Sequence, residues 1–160
     1  MKKRKIIQIL VSVVIILSVS AMAFTANAML CYKYTYGANA DNTIQTTASV
    51  QANPHSDGIF FRNAFATHRA DNLTYLENYT IQLSIRVTAY KLSSVSESFF
   101  HSGYVIMNSD TPYINFSNME PAFTEDERVY ELEGEYEAYY PYSGDRWITP
   151  TIILTPDDTH

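Results

Sequence analysis

The chain has 160 residues, 17 acidic and 11 basic, giving a formal net charge of −6, with one cysteine and 13 tyrosines. Such an acidic balance excludes ready binding to nucleic acid or anionic lipid and argues against a basic membrane-disrupting peptide. A lone cysteine excludes any internal disulfide, so stability has to come from a packed core.

The chain opens on Lys2, Lys3, Arg4 and Lys5, followed by an almost wholly apolar run from Ile6 to Phe24 and then Ala26-Asn27-Ala28. A positive head, a greasy core and a small-x-small end are the parts of a signal peptide, with cleavage expected before Met29. The core also approaches the ~20 residues that span a bilayer, so an uncleaved signal anchor is the rival reading. Positive-inside orientation puts residues 29–160 outside the cytoplasm either way. The lysine-rich head and long core resemble the export leaders of Gram-positive bacteria. Cys31 follows Ala28-Met29-Leu30, which lacks the small residue expected before a lipidated cysteine, and it reads as incidental near a loose terminus.

Removal of residues 1–28 leaves seven basic against seventeen acidic residues, a net charge of −10 on 132 residues. That length fits one domain at 29–160 and can bury somewhat over 60% of its unfolded surface. The charge is lopsided: residues 97–160 carry thirteen acids and only two bases. A surface this acidic keeps a protein soluble and also suits a cationic partner.

Residues 29–160 are rich in Tyr, Phe, Thr, Ile and Val, which favour a pleated, half-buried surface. Turn signals punctuate them at Asn39–Asn42, Asn53–Gly58, Arg69–Asn72, Asn108–Pro112 and Tyr142–Asp145. Thr43–Gln51 alternates, with Ile44, Thr46, Ala48 and Val50 on one side. Tyr79–Leu92 is the clearest strand: Ile81, Leu83, Ile85, Val87 and Ala89 oppose Gln82, Ser84, Arg86, Thr88 and Tyr90. Gly103–Asn108 and Tyr113–Ser117 read as a hairpin about the Asp-Thr-Pro turn.

Thr124–Tyr140 is ambiguous. Thr124 with Glu127 forms a capping box, and Val129, Leu132, Tyr136 and Tyr139 recur at helical spacing. Against a helix, the glutamates would repel four apart and Gly134 would cost ~1 kcal/mol. The strand reading is adopted from Tyr130, with Leu132, Gly134, Tyr136, Ala138 and Tyr140 inward, Glu131, Glu133, Glu135 and Glu137 outward, and a helical turn near Thr124–Arg128. After a turn at Pro141–Asp145, Arg146–Thr155 returns as its partner; Pro150 marks that strand as an edge or as bulged. Seven or eight strands and no long helix predict an all-β protein, a small antiparallel β-sandwich of immunoglobulin-like or jelly-roll-like kind.

Chemistry is sparsely signalled. His55, His68, His101 and His160 lack metal-ligand spacing, and no nucleophile elbow or phosphate-cradling loop is present, so no catalytic residue, metal or cofactor is assigned. Carboxylates two apart on a strand lie roughly 7 Å from each other, a glycosidase-like separation, yet acid catalysis needs one of them in a dry pocket. Glu131–Glu137 therefore reads first as a charged row that keeps an exposed strand from aggregating. The aromatics Tyr32, Tyr34 and Tyr36, and Tyr139, Tyr140 and Tyr142 before Trp147, suit either core margins or a recognition surface.

The layout, an export leader then short Tyr/Ser/Thr-rich strands ending in Tyr-Ser-Gly-Asp-Arg-Trp, resembles small secreted proteins of Gram-positive bacteria; the likeness is one of texture and carries no residue roles. The expected function is non-enzymatic recognition at or near the cell envelope. The candidate binding residues are Glu131, Glu133, Glu135, Glu137, Tyr139, Tyr142 and Trp147, and the partner a cationic protein or glycan. Rival readings are a structural or membrane-anchored surface subunit and a small secreted glycan hydrolase.

Overall fold

The computed structural model describes residues 30–72, 79–93, 95–107, 112–115 and 122–158. The leader, with both of its readings, and most of the Asn108–Pro112 turn lie outside the described residues. Among those described there is no helix. Eight strands form two four-stranded antiparallel sheets: β1 (Cys31–Ala38), β2 (Ile44–Ala52), β3 (Phe65–Asn72), β4 (Thr80–Lys91), β5 (Glu97–Ile106), β6 (Tyr113–Asn115), β7 (Val129–Tyr140) and β8 (Asp145–Leu154). One sheet has the order β1-β2-β3-β6, the other β5-β4-β7-β8. The predicted β-sandwich is the observed fold.

Period-two alternation builds the core. β4 sends Ile81, Leu83, Ile85, Val87 and Ala89 inward, all fully buried. β7 sends Leu132, Gly134, Tyr136, Ala138 and Tyr140 to the same side. The facing sheet contributes Ala48, Ala52, Ala66 and Ala70 together with Ile44, Val50, His68 and Ile114, and the two layers close on one core. Tyr136 is the bulkiest fully buried side chain, and its ring lies back over Gly134, where an added Cβ would come within 2.6 Å of the phenol oxygen.

Turn chemistry closes the hairpins. Asn39 accepts at its side-chain oxygen from the Ile44 N–H (2.8 Å), and Asp41 accepts from the Thr43 N–H and hydroxyl, while Asn42 takes φ +57°. Gly144, at φ +78°, lets the β7–β8 turn fold back so that its N–H reaches the Tyr140 carbonyl. At Thr124 half of the capping box forms, the Glu127 carboxylate accepting from the Thr124 N–H, while the Glu127 N–H donates to the Thr124 carbonyl (3.1 Å) in a single turn.

The Pro150 expectation holds in both forms. β8 is an edge strand, and its register with β7 slips between Gly134 and Tyr136, leaving Pro150 and Thr151 both outward between inward Thr149 and Ile152.

Three local expectations are corrected. Arg69–Asn72 is the end of β3, not a turn. Pairing of Arg69, Ala70, Asp71 and Asn72 with Thr47, Thr46, Gln45 and Ile44 overrides the turn preference of Asp and Asn. The segments Gly103–Asn108 and Tyr113–Ser117 do not form a hairpin: β5 pairs with β4, whereas β6 crosses to the other sheet and pairs with β3. Cys31, read as incidental near a loose terminus, is fully buried at the start of β1, its thiol 3.7 Å from the Pro156 carbonyl.

The two sheets meet at a seam where both carry an edge. β1 runs beside β8, and the Lys33 ammonium spans the gap, donating to the Ile153 carbonyl (2.8 Å) and pairing with Asp158 (2.8 Å).

Candidate functional site

Five outward residues of β7, Glu131, Glu133, Glu135, Glu137 and Tyr139, form one row along the middle of the β5-β4-β7-β8 sheet, with Tyr130 also exposed at the start of the strand. Register decides their company. Across β4 they face Tyr90, Thr88, Arg86, Ser84 and Gln82 in turn. One strand further, Thr88, Arg86, Ser84 and Gln82 face Ser98, Phe100, Ser102 and Tyr104 of β5. On the other flank Glu137 faces Ile148 and Tyr139 faces Arg146 of β8.

Three of the four glutamates are held. Glu133 accepts from the Tyr90 hydroxyl (2.5 Å), Glu135 pairs with Arg86 (3.8 Å), and Glu137 pairs with Arg146. The Glu133 carboxylate pushes the Tyr90 phenol above its usual range, since ionisation would set two anions against each other. Each arginine also rests on an aromatic ring: Arg86 lies 5.9 Å from the centre of Phe100 and Arg146 5.3 Å from that of Tyr139. Exposed pairs of this kind add only about 0–1 kcal/mol to stability. Their consequence is geometric, setting four charged groups and two rings around one spot.

That spot is Ser84, whose short side chain floors a shallow depression of about 240 Å³ walled by Arg86, Phe100, Glu135, Glu137 and Ile148. It adjoins a second, of about 290 Å³, that continues toward Gln82, Ser102, Tyr139 and Arg146. Ile148 is 72% exposed, an aliphatic rim beside charged walls. Four carboxylates against two guanidinium groups leave the face net negative. Below one end of the row Lys91 joins Glu127 (2.6 Å) and Glu97 (2.7 Å), and the Glu127 contact holds its ammonium above the ordinary lysine range.

Of the residues expected from sequence, the fold brings together Glu131, Glu133, Glu135, Glu137 and Tyr139. Tyr142 lies at the β7–β8 turn, its ring tilted against those of Tyr79 (5.0 Å) and Tyr140 (5.6 Å) beyond the end of the row. Trp147 does not belong to the face. Its parity on β8 turns it inward, where it is buried and its indole N–H donates to the Thr46 hydroxyl (3.1 Å), which meets Thr149 (3.1 Å). Sequence reasoning missed Phe100, Arg146 and Ile148 as members of this face. Ser84 and Arg86 were legible as outward residues of β4, but only the strand order sets them beside the glutamates.

The fold defines the class of protein as a small antiparallel β-sandwich carrying a charged and aromatic depression on one outer face. No protein-family model matches the chain, and no curated protein matches it either.

Proposed function

We propose that this is an exported, non-enzymatic recognition module of the cell envelope that engages a cationic group on a protein or glycan partner. The contact is made through the outer face of the β5-β4-β7-β8 sheet. What supports the reading is the arrangement over Ser84: Glu135 and Glu137, pre-positioned by Arg86 and Arg146, beside Phe100, Tyr139 and Ile148. An incoming ammonium or guanidinium competes with the arginines for carboxylates already fixed in place, and the apolar rim desolvates the contact. Export rests on the leader of residues 1–28, and mass analysis of the N-terminus together with fractionation of medium, wall and membrane tests it.

The recognition test replaces Glu131, Glu133, Glu135 and Glu137 by glutamine. The expected outcome is loss of retention on cell walls and on a cationic matrix, with the folded state verified by circular dichroism. Retention of the parent protein should also fall as salt rises, because these charges are open to solvent and the screening length is about 10 Å at 0.1 M. Unchanged retention of the glutamine variant removes the proposal.

A further inference from the structure

The opposite face of the molecule has a different chemistry. β1 turns Tyr32, Tyr34 and Tyr36 outward at alternate positions, with successive ring centres 5.8 and 5.4 Å apart. Tyr34 and Tyr36 are each 54% exposed. Their cross-strand neighbours on β2 are Gln51, Ser49 and Thr47, with Gln45 one step beyond. The next strand adds Thr67, hydrogen-bonded to Ser49 (2.7 Å), then Arg69 and Asp71, which pair with each other (2.8 Å). Tyr113 and Asn115 of β6 face Arg69 and Thr67. At the Tyr36 end the row runs into a hollow of about 360 Å³ lined by Tyr36, Gly37, Ala38, Asn42 and Gln45.

On a chain this acidic, the outward face of the β1-β2-β3-β6 sheet carries charge, among the described residues, only as the Arg69–Asp71 pair. Rings, hydroxyls and amides make up most of the rest. Such a surface offers no uncompensated charge to a cation or an anion, and its aromatic rings stand among hydroxyls and amides with little aliphatic area beside them. It complements a neutral molecule with C–H faces to lay on phenol rings and hydroxyls to exchange hydrogen bonds with Gln45, Thr47 and Gln51. We infer that this face binds a neutral polysaccharide chain lying along β1, with its sugar rings on Tyr32, Tyr34 and Tyr36 and one end in the hollow beside Tyr36. Three tyrosines at alternate positions cover about 14 Å, which suits a run of sugar units more than a single one. The rings are inclined to one another by 37° and 77°, so the platform fits a twisted soluble chain and not a flat crystalline surface.

The test is affinity electrophoresis of the folded protein through gels containing soluble neutral glycans: hydroxyethyl cellulose, xylan, mannan, dextran and glycol chitin. Retardation by at least one of them is expected, unaffected by salt. Tyr34→Ala and Tyr36→Ala should each weaken it roughly tenfold, while Tyr34→Phe, which keeps the ring, stays within about twofold. Both positions are exposed, and a thermal melt verifies that the variants fold. Replacing the four glutamates of β7 by glutamine should leave this retardation unchanged, which separates it from the recognition proposed for the other sheet. Retardation by none of the five glycans, an unaltered Tyr34→Ala/Tyr36→Ala double variant, or tyrosine-dependent capture of a protein with no glycan retardation overturns the inference.

Discussion

His68 shows how one buried side chain ties stability to acidity. It sits in the core on β3, edge-on to Tyr136 (5.5 Å), and its Nδ1–H donates to the Ser84 carbonyl (3.0 Å), which leaves Nε2 deprotonated and without a hydrogen-bond partner. Burial holds its pKa down at about 4, against an ordinary 6.5. The folded chain therefore stays neutral here while the unfolded chain takes up a proton below pH 6.5. The contribution is complete above pH 6.5 and drains away as pH falls to 4, amounting to about 3 kcal/mol. Urea melts at pH 7, 5.5 and 4 check this, with a midpoint that falls steadily. Tyr136 makes a second point of rigidity, its hydroxyl donating to the Ser49 carbonyl across the sandwich (2.8 Å). Tyr136→Phe should cost about 1–2 kcal/mol in a denaturant melt, by leaving a buried acceptor short. Gly134→Ala should cost about 1–3 kcal/mol by driving a methyl group into the same ring. Gly134 and Tyr136 read from the sequence as inward residues of one strand, but their contacts did not, and His68 reads as one scattered histidine among four, because only the sandwich sets it beside Tyr136 and Ser84.

Alternation along β2, β4 and β7 was readable, because one face of each strand is apolar and the other wet. The β7–β8 hairpin was readable too, from its Gly144 turn and Pro150. Strand order was not. β5 and β6 lie close in sequence and read as partners, yet a crossover between sheets is set by which edges remain free, and no residue near the Asp-Thr-Pro turn encodes that. β1 and β3 escaped notice for a related reason: Tyr32–Tyr36 alternates with Lys33, Thr35 and Gly37, none of them a strong core signal. Lys33 now has a role in joining β1 to β8. Lys33→Ala should loosen that seam first, so hydrogen exchange of β1 amides rises several-fold while the central β4 amides keep their rate.

As a whole, the molecule separates two kinds of surface. Carboxylates crowd one sheet's outer face, while tyrosines, hydroxyls and amides crowd the other. The excess of acids after residue 96 foretold the first, whereas Tyr32, Tyr34 and Tyr36 read equally as core margin or recognition surface until β1 was placed at a sheet edge. With the core between them, the two faces should act independently. A saturating soluble glycan on the tyrosine side should leave retention on a cationic matrix unchanged within error, which a competition measurement checks. Export to an oxidising place would expose any accessible thiol to modification, but Cys31 has its sulfur packed inside, and burial, seconded by Asp158, keeps its pKa above the ordinary value. The chain thus carries its own clock for opening: a thiol-reactive dye marks Cys31 when the start of β1 comes away, so labelling kinetics report, without any engineered probe, how often that edge strand lets go.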